Sequence, residues 1–219
     1  DDGPPRQFRN RRTGEVTEIP AGIDPGWHIN PGLSLARTLM DNASAKIEAL
    51  AGAGPADAQR VIEGLWSDPF LQVAPKLPEK TWLPAGVSLR LEAELGARSP
   101  LVSITSDAVS DRSRRHSLPI EAFARLPTVL AEARPMIDPR RPEPDARALF
   151  WRDDKTWWKA VVKNSGAGYL RVRSFHQRRA KAVAFLILDA GLGLDDLVAT
   201  GFTEAEAAAL HRQWLEEKG

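Results

Sequence analysis

Two histidines, two cations and a serine in the second half of the chain have side chains suited to chemistry on a phosphate group. An imidazole transfers protons near neutrality, while Lys and Arg stabilise negative charge that develops on oxygen. His116 ends the basic run RSRRH, whose arginines favour the neutral imidazole of a general base. A surface histidine at a helix end is the alternative interpretation of His116. We predict a catalytic set of His116, Lys163, Arg173, Ser174 and His176.

Three apolar and aromatic runs, ARALFWRD, TWWKAVVK and YLRVRSFH, are separated by short loops and predict an antiparallel meander. We expect Lys163 to pair with Tyr169 across the NSGAG loop, with side chains alternating between two faces from there. One face then carries a core set: Trp158, Ala160, Val162, Leu170, Val172 and Ser174. The other face interleaves cations with aromatic rings: Trp157, Lys159, Val161, Lys163, Tyr169, Arg171, Arg173 and Phe175.

The second face has the composition of a surface for single-stranded nucleic acid, because rings stack on bases and cations contact phosphates. We predict such contacts from Trp157, Lys159, Tyr169 and Arg171. Two alternatives stay open. The long cationic side chains could simply cover an exposed sheet. A register slip of one residue would instead place Ser174 and His176 beside the lysines.

Charge outside the strands also favours an anionic partner. Residues 100–190 carry 17 Lys and Arg against 10 Asp and Glu, whereas residues 1–99 and 191–219 have net charges of −2 and −4. A basic segment between acidic ones favours nucleic acid, with a solvated basic surface as the alternative. Cations at the start of a helix oppose its dipole unless a phosphate binds there. The predicted nucleic-acid contacts therefore include Arg178 and Arg179, and Arg115 of the basic run RSRRH is predicted as a further contact.

Other site classes lack support in the sequence. There is no glycine-rich phosphate loop, HExxH, GxSxG or calcium-loop motif. A metal site from His116, His176 and nearby Asp107 or Asp111 is conceivable, but the residue spacing does not favour it. No cysteine is present, which excludes disulfides and thiolate metal ligands. No apolar run approaches the roughly 20 residues of a membrane span. We predict no cofactor, no metal and no membrane partner.

Periodicity and capping signals predict an α+β chain with helices at both ends. Residues 31–75 are predicted to form a helical hairpin, with helices over 34–50 and 55–66. A strand at 101–106, a helix at 106–116 and short helices broken near Pro127 precede the meander. Two helices follow it, ending near Gly191 and in a C-terminal helical tail at 191–219 with a Thr203–Glu206 capping box. Residues 1–30 have a loop-like pattern, and residues 69–99 give no clear assignment.

The segment NRRTGEVTEIPAGIDPGWHINPG, residues 10–32, resembles one found in phage minor head proteins of the Mu F-like head morphogenesis family. In that family the segment follows a head domain. The resemblance implies that residues 1–30 are an extended junction after such a domain, and that the chain is the C-terminal part of a longer virion protein. Its implied partners are other phage head components.

Residues 78–190 are similar to the phage nuclease domains of the barnase, EndoU, colicin and RelE (BECR) superfamily. The similarity lies in ITSDAVSDRSRRH, LPTVL, WWKAVVK and LRVRSFH. It implies helices before an antiparallel sheet of about four strands, whose open face acts on RNA. The implied function is a metal-independent endoribonuclease that cleaves by attack of the ribose 2′-hydroxyl, with localisation in the virion or the bacterial cytoplasm.

Two further functions stay open at this stage. The chain could be a virion structural or nucleic-acid-binding module that has the nuclease-like fold without catalysis. It could also be a delivered toxin domain that an immunity protein neutralises. Binding without cleavage would indicate the first, and growth arrest relieved by a neighbouring gene product would indicate the second.

Overall fold

The structure is a computed structural model that describes residues 6–9, 16–19, 54–77, 80–115, 118–154, 156–166 and 168–218. Side chains are described in these ranges except at 6–9, 16–19, 68–69 and 112–115. Over these ranges the protein is an α+β fold with eight α-helices and a six-stranded mixed sheet, and helices lie at both ends of residues 54–218. The predicted fold class is confirmed. None of the helices in these ranges is long and apolar enough to cross a membrane.

Five helices precede or interrupt the first half of the sheet: α1 Pro55–Leu65, α2 Asp68–Val73, α3 Leu89–Leu95, α4 Ser106–Arg115 and α5 Leu126–Glu132. Short 3-10 helices occupy Ala74–Lys76 and Ile120–Arg125. Three more helices follow the sheet: α6 Ala180–Asp189, α7 Leu194–Thr200 and α8 Glu204–Lys218. The predicted capping box of α8 is confirmed, because Thr203 and Glu206 exchange side chain to backbone hydrogen bonds of 3.0 and 3.2 Å.

The strands are β1 Arg6–Arg9, β2 Val16–Ile19, β3 Trp82–Val87, β4 Leu101–Thr105, β5 Pro135–Met136, β6 Ala146–Arg152, β7 Trp157–Asn164 and β8 Leu170–Arg178. The first two pair with each other, and the rest form one sheet in the order β3-β4-β8-β7-β6-β5. Only β4 and β8 run parallel within that sheet. The antiparallel meander β6-β7-β8 is confirmed, with its turns where the sequence predicts them.

Several sequence expectations differ from the structure. The sheet has six strands rather than about four, because the unassigned stretch 69–99 contributes β3 and the short β5 is added at the other edge. Pro84 fits β3 because this strand lies at a sheet edge, where a missing N–H is tolerated. Strands β1 and β2 lie within the stretch expected to be loop-like. Helix α7 was not predicted. The first helix of the predicted hairpin, 34–50, lies outside the described residues, whereas the second is α1.

Helices α1 to α5 pack on one face of the sheet, which we call the inner face. Its core joins Ile62, Phe70 and Leu130 from the helices to alternate strand residues such as Leu83 and Ile104. Aromatic rings fill the centre: Trp66 packs edge-on to Phe70 at 5.2 Å, and Phe123 lies 5.6 Å from Phe175. The indole N–H of Trp66 donates to the Pro84 carbonyl at 2.8 Å, which ties α1 to the edge strand.

Helices α6 to α8 pack on the opposite, outer face, mainly over β6 and β7. Val183, Ile187 and Leu188 of α6 form a second buried cluster with Ala148 and Phe150 of β6. The residues predicted as a C-terminal tail are part of this cluster, since Phe202 stacks on Trp157 with ring centroids 4.2 Å apart. The outer face of β8 is therefore left beside the helices rather than beneath them.

A β-bulge in β8 changes the register that the sequence predicts. Lys163 pairs with Arg171, not with Tyr169, and the register then shifts so that Val161 pairs with Ser174 and Ala160 with Phe175. One extra residue at Arg173 moves every following side chain to the other face. The predicted register is wrong, and the open alternative that Ser174 and His176 join the outer face is what the structure has.

Alanine substitutions at two glycines test this packing, because we expect one to lower and the other to raise the free energy of unfolding. A Cβ on Gly86 of β3 would lie 2.9 Å from the Leu130 Cβ, whereas one on Gly64 of α1 would meet nothing within 4 Å. We expect Gly86→Ala to destabilise the fold by about 1–3 kcal/mol through overpacking. Gly64→Ala should stabilise it by about 0.5–1 kcal/mol through helix propensity. Urea unfolding of both variants checks this, and a stabilised Gly86→Ala would contradict the tight contact between α5 and β3.

Candidate active site

A polar cleft of about 300 Å³ opens on the outer face of the sheet, beside the helices. Strands β7 and β8 form its floor, and the connection between β5 and β6 forms one wall. Two carboxylates, five cations, a hydroxyl and an imidazole line it together with two apolar side chains. The lining residues are Asp138, Arg140, Arg141, Glu143, Ala146, Lys159, Val161, Arg173, Ser174, His176 and Arg178.

The bulge in β8 gives the cleft its reactive side chains. Because the extra residue is Arg173, Arg173 and Ser174 stand next to each other on the outer face instead of alternating across the sheet. Regular alternation resumes after them, so His176 and Arg178 follow on the same face. Four consecutive outward positions of one strand therefore present two guanidiniums, a hydroxyl and an imidazole to the same cleft.

A buried ion pair fixes the wall of the cleft to its floor. The Lys159 ammonium donates to both carboxylate oxygens of Asp138 at 2.9 and 3.0 Å, and these side chains are only 7 % and 9 % exposed. The ammonium also lies 5.6 Å from the centre of the Phe150 ring. Burial lowers the pKa of Lys159, although the Asp138 carboxylate opposes that shift. Lys159 thus holds the β5–β6 connection in place rather than covering an exposed sheet.

Glu143 joins two of the predicted catalytic cations. Its carboxylate accepts hydrogen bonds from the Lys163 ammonium at 2.9 Å and from the Arg173 guanidinium. These hydrogen bonds lower the pKa of Glu143, and the carboxylates of Glu143 and Asp145 raise the pKa of Lys163. Lys163 does not line the cleft but lies behind Glu143, so it acts on the site only through that carboxylate.

Three arginines in the cleft have no carboxylate within salt-bridge distance among the described residues: Arg140, Arg141 and Arg178. Partial burial lowers the pKa of Arg178, and the positive charge of Arg140 lowers it further. Two guanidiniums are thus close enough to repel each other. An anion in the cleft would relieve that repulsion.

Five of the residues singled out from the sequence meet in this cleft: Lys159, Arg173, Ser174, His176 and Arg178. Other predicted contacts lie elsewhere. Trp157 points to the outer face as expected, but it is 1 % exposed beneath Phe202, so the expectation of a free ring for base stacking is wrong. Phe175 lies on the inner face and stacks on Trp158, because the bulge turns it into the core.

The remaining predicted contacts lie on the surface outside the cleft or beyond the described part. Tyr169 is 60 % exposed and precedes β8, and Arg171 is exposed on the outer face opposite Lys163. Arg179 is the exposed N-cap residue of α6. Arg115 ends α4 with its side chain outside the described atoms, and His116 lies outside the described residues. The predicted roles of these residues stay predictions.

Sequence reasoning missed the whole wall of the cleft, namely Asp138, Arg140, Arg141 and Glu143. These residues come from DPRRPEP, a proline-rich stretch without periodicity that connects β5 to β6. The adjacent arginines were the available signal. Nothing local indicated that this stretch folds onto a strand about 20 residues later in the chain. No group of three or more His, Asp or Glu side chains in the described ranges is placed to hold a metal ion.

Replacing Asp138 tests the anchor. Asp138→Asn would leave the buried Lys159 ammonium without its carboxylate, and we expect a loss of about 3–5 kcal/mol in the free energy of unfolding. Asp145→Asn is the matched control, because the Asp145 side chain is 46 % exposed and, among the described side chains, its carboxylate pairs only with Lys163. This variant should cost less than about 1 kcal/mol. The double variant Asp138→Asn/Lys159→Met should recover much of the loss in urea unfolding. Equal, small effects of Asp138→Asn and Asp145→Asn would contradict the anchor.

The lowered pKa of Glu143 gives a pH-dependent test. Its stabilising contribution is present above the ordinary pKa of a glutamate and is lost as the pH falls through the lowered pKa. The Tm gap between the unmodified protein and Glu143→Gln should therefore narrow from about pH 7 to about pH 3. A Tm difference between the two proteins that stays constant over this range would show that the charge of the Glu143 carboxylate does not contribute to stability.

Comparison of the chain with protein-family models, with curated proteins and with solved structures found no match. The family resemblances drawn from the sequence therefore stay predictions, and the function rests on the cleft itself.

Proposed function

We propose that this protein is a metal-independent endoribonuclease that binds and cleaves RNA in the cleft of the outer face. The observation that carries the proposal is the row of Arg173, Ser174, His176 and Arg178 along one strand, all lining one open cleft. A proton-transfer group beside a hydroxyl and two guanidiniums is the equipment that phosphodiester transesterification needs.

The charge of the cleft supports a polyanionic substrate. Five cations line it against two carboxylates, and one of those carboxylates is satisfied by the buried Lys159. Arg140, Arg141 and Arg178 can contact phosphate oxygens, and an arginine fork suits phosphate geometry. The floor of the cleft follows β8 from Arg173 to Arg178, and this elongated lining suits a chain substrate better than a small molecule.

In the proposed reaction a base removes the proton of the ribose 2′-hydroxyl, and the 2′-oxygen attacks the adjacent phosphorus. The bond from phosphorus to the 5′-oxygen breaks, leaving a 2′,3′-cyclic phosphate, and the departing 5′-oxygen takes a proton. His176 supplies that proton as general acid, Ser174 donates a hydrogen bond to a phosphate oxygen, and Arg173 stabilises the charge of the phosphorane. His116, which lies outside the described residues, keeps its predicted role as base.

This reaction requires RNA, because DNA lacks the attacking hydroxyl. The resemblance of residues 10–32 to phage head proteins extends the proposal to a virion-associated enzyme that meets its RNA in the bacterial cytoplasm. No step of the chemistry depends on that context.

One observation favours a second candidate, a nucleic-acid-binding module without catalysis. Glu143 holds both Lys163 and Arg173, the two cations predicted to stabilise the phosphorane. A phosphate must compete with this carboxylate for Arg173. If Arg173 stays hydrogen-bonded to Glu143, the cleft binds nucleic acid through its other arginines and does not cleave it.

Incubation of the protein with single-stranded RNA in excess EDTA tests the proposal. We expect products that end in a 2′,3′-cyclic phosphate and begin with a 5′-hydroxyl, and no cleavage of DNA of the same sequence. His176→Ala should lower the rate about 10²- to 10⁴-fold, the usual contribution of a general acid or base.

His211→Ala is the matched control, because this histidine lies in α8 against Trp214, away from the cleft, and its loss should leave the rate unchanged. Salt-dependent RNA binding with no cleavage would establish the second candidate instead. Cleavage that EDTA abolishes would overturn the metal-independent mechanism.

A further inference from the structure

Arg140 and Arg178 stand where the cleft meets a second, smaller hollow beneath α6. Both arginines line both spaces, and the smaller one is completed by Phe150, Lys159, Ala182, Val183 and Leu186. One arginine comes from the β5–β6 connection and the other from the last position of β8. They therefore approach the same point from the wall and from the floor of the cleft.

The two guanidiniums are held near each other without a carboxylate partner in the described part of the chain. The acid in the adjacent wall is Asp138, and both of its oxygens already accept hydrogen bonds from Lys159. Burial lowers the pKa of Arg178, the positive charge of Arg140 lowers it further, and the Asp138 carboxylate opposes both effects. Two guanidiniums that lie close together, and whose neighbouring carboxylate Asp138 is hydrogen-bonded to Lys159, can bind an external anion.

The backbone around both arginines is fixed in advance. The Asp138 carboxylate accepts a hydrogen bond from the Arg140 N–H at 3.1 Å, and the Asp138 carbonyl accepts one from the Arg141 N–H at 3.1 Å. Arg178 pairs in the sheet with Trp157, which is buried under Phe202. Anchoring both ends means that little backbone order is lost when a ligand binds.

Arg140 and Arg178 lie where the phosphate next to the reacting phosphate would bind. His176 and Arg178 are two residues apart on the same face of β8, a separation of about 6.6 Å along a strand. Adjacent phosphates of a single-stranded nucleic acid are spaced similarly. We infer that Arg140 and Arg178 form a second phosphate subsite, one nucleotide from the phosphate held by Arg173, Ser174 and His176.

This inference rests on the proposed function for the role of the first subsite and deepens it by naming the substrate. The site takes a ribonucleotide chain that carries two neighbouring phosphates, and a ligand with one phosphate leaves either Arg173 or the pair of Arg140 and Arg178 without a phosphate. A neighbouring phosphodiester and a terminal phosphate would offer the same chemistry to Arg140 and Arg178.

Calorimetry with adenosine 3′,5′-bisphosphate and adenosine 3′-monophosphate tests the subsite without any cleavage. We expect the bisphosphate to bind at least about tenfold more tightly, equivalent to about 1.4 kcal/mol. Arg140→Gln and Arg178→Gln should each remove most of that preference while changing monophosphate binding less than about threefold. Arg90→Gln, on α3 across the sheet, should keep the preference. Neither cleft variant should lower the Tm, because each removes a repulsion.

Cleavage assays separate the two sources of the second phosphate. The dinucleotide ApA is compared with the same dinucleotide carrying a terminal phosphate and with the trinucleotide ApApA, which carries a second phosphodiester. If both substrates with a second phosphate are cleaved faster than ApA, and Arg178→Gln removes that difference, the subsite accepts a terminal phosphate and a phosphodiester alike. If only one of them is cleaved faster, the subsite takes that kind of phosphate.

The outcomes separate this inference from the proposed function. Equal binding of mono- and bisphosphate, or equal loss of both in Arg178→Gln, overturns the second subsite even if RNA is cleaved. An Arg178-dependent preference for the bisphosphate in a protein that cleaves no RNA would keep the subsite and overturn the nuclease.

Discussion

A single β-bulge at Arg173 decides both the core and the cleft. Without it, strict alternation from Val172 would turn Ser174 into the core and leave Phe175 in solvent. Burying an unpartnered hydroxyl and exposing an aromatic ring are both unfavourable. With the extra residue, Phe175 stacks on Trp158 at 5.4 Å, and Ser174 reaches the outer face. Core packing and the composition of the cleft thus favour the same backbone irregularity.

The outer face of the sheet is divided by what covers it. Helices α6 to α8 bury its apolar positions over β6 and β7, including Trp157 against Phe202. Most polar positions of β8 lie beside those helices and face the β5–β6 connection, and Arg178 at the end of the strand also reaches the hollow beneath α6. The same strand β7 therefore contributes Trp157 to a core and Lys159 to a cleft. The segment predicted as a C-terminal helical tail, residues 191–219, is therefore part of the packing on the outer face beside the cleft.

Charges in the cleft fall into two classes with different consequences. Lys159 is buried and committed to Asp138, so it contributes to the position of the wall rather than to ligand binding. Arg140 and Arg178 are exposed and have no carboxylate within salt-bridge distance in the described part of the chain. Glu143 is intermediate, since it is partly buried and its carboxylate pairs with both Arg173 and Lys163. Lys159 and Asp138 therefore fix the wall of the cleft, while Arg140 and Arg178 are the cations that we propose bind an anion.

Local patterns in the sequence were enough for the elements: the meander β6-β7-β8, helix α6 and the capped helix α8 follow from alternation, loop spacing and a capping box, all of which act over a few residues. Those patterns also brought Ser174, His176 and Arg173 into consideration. Only the tertiary structure decided which of them meet. The bulge depends on packing Phe175 against distant rings, and the DPRRPEP wall depends on an ion pair between Asp138 and Lys159, 21 positions apart. Neither contact leaves a periodic trace in the sequence, because each is selected by burial across the sheet rather than by neighbours along the chain.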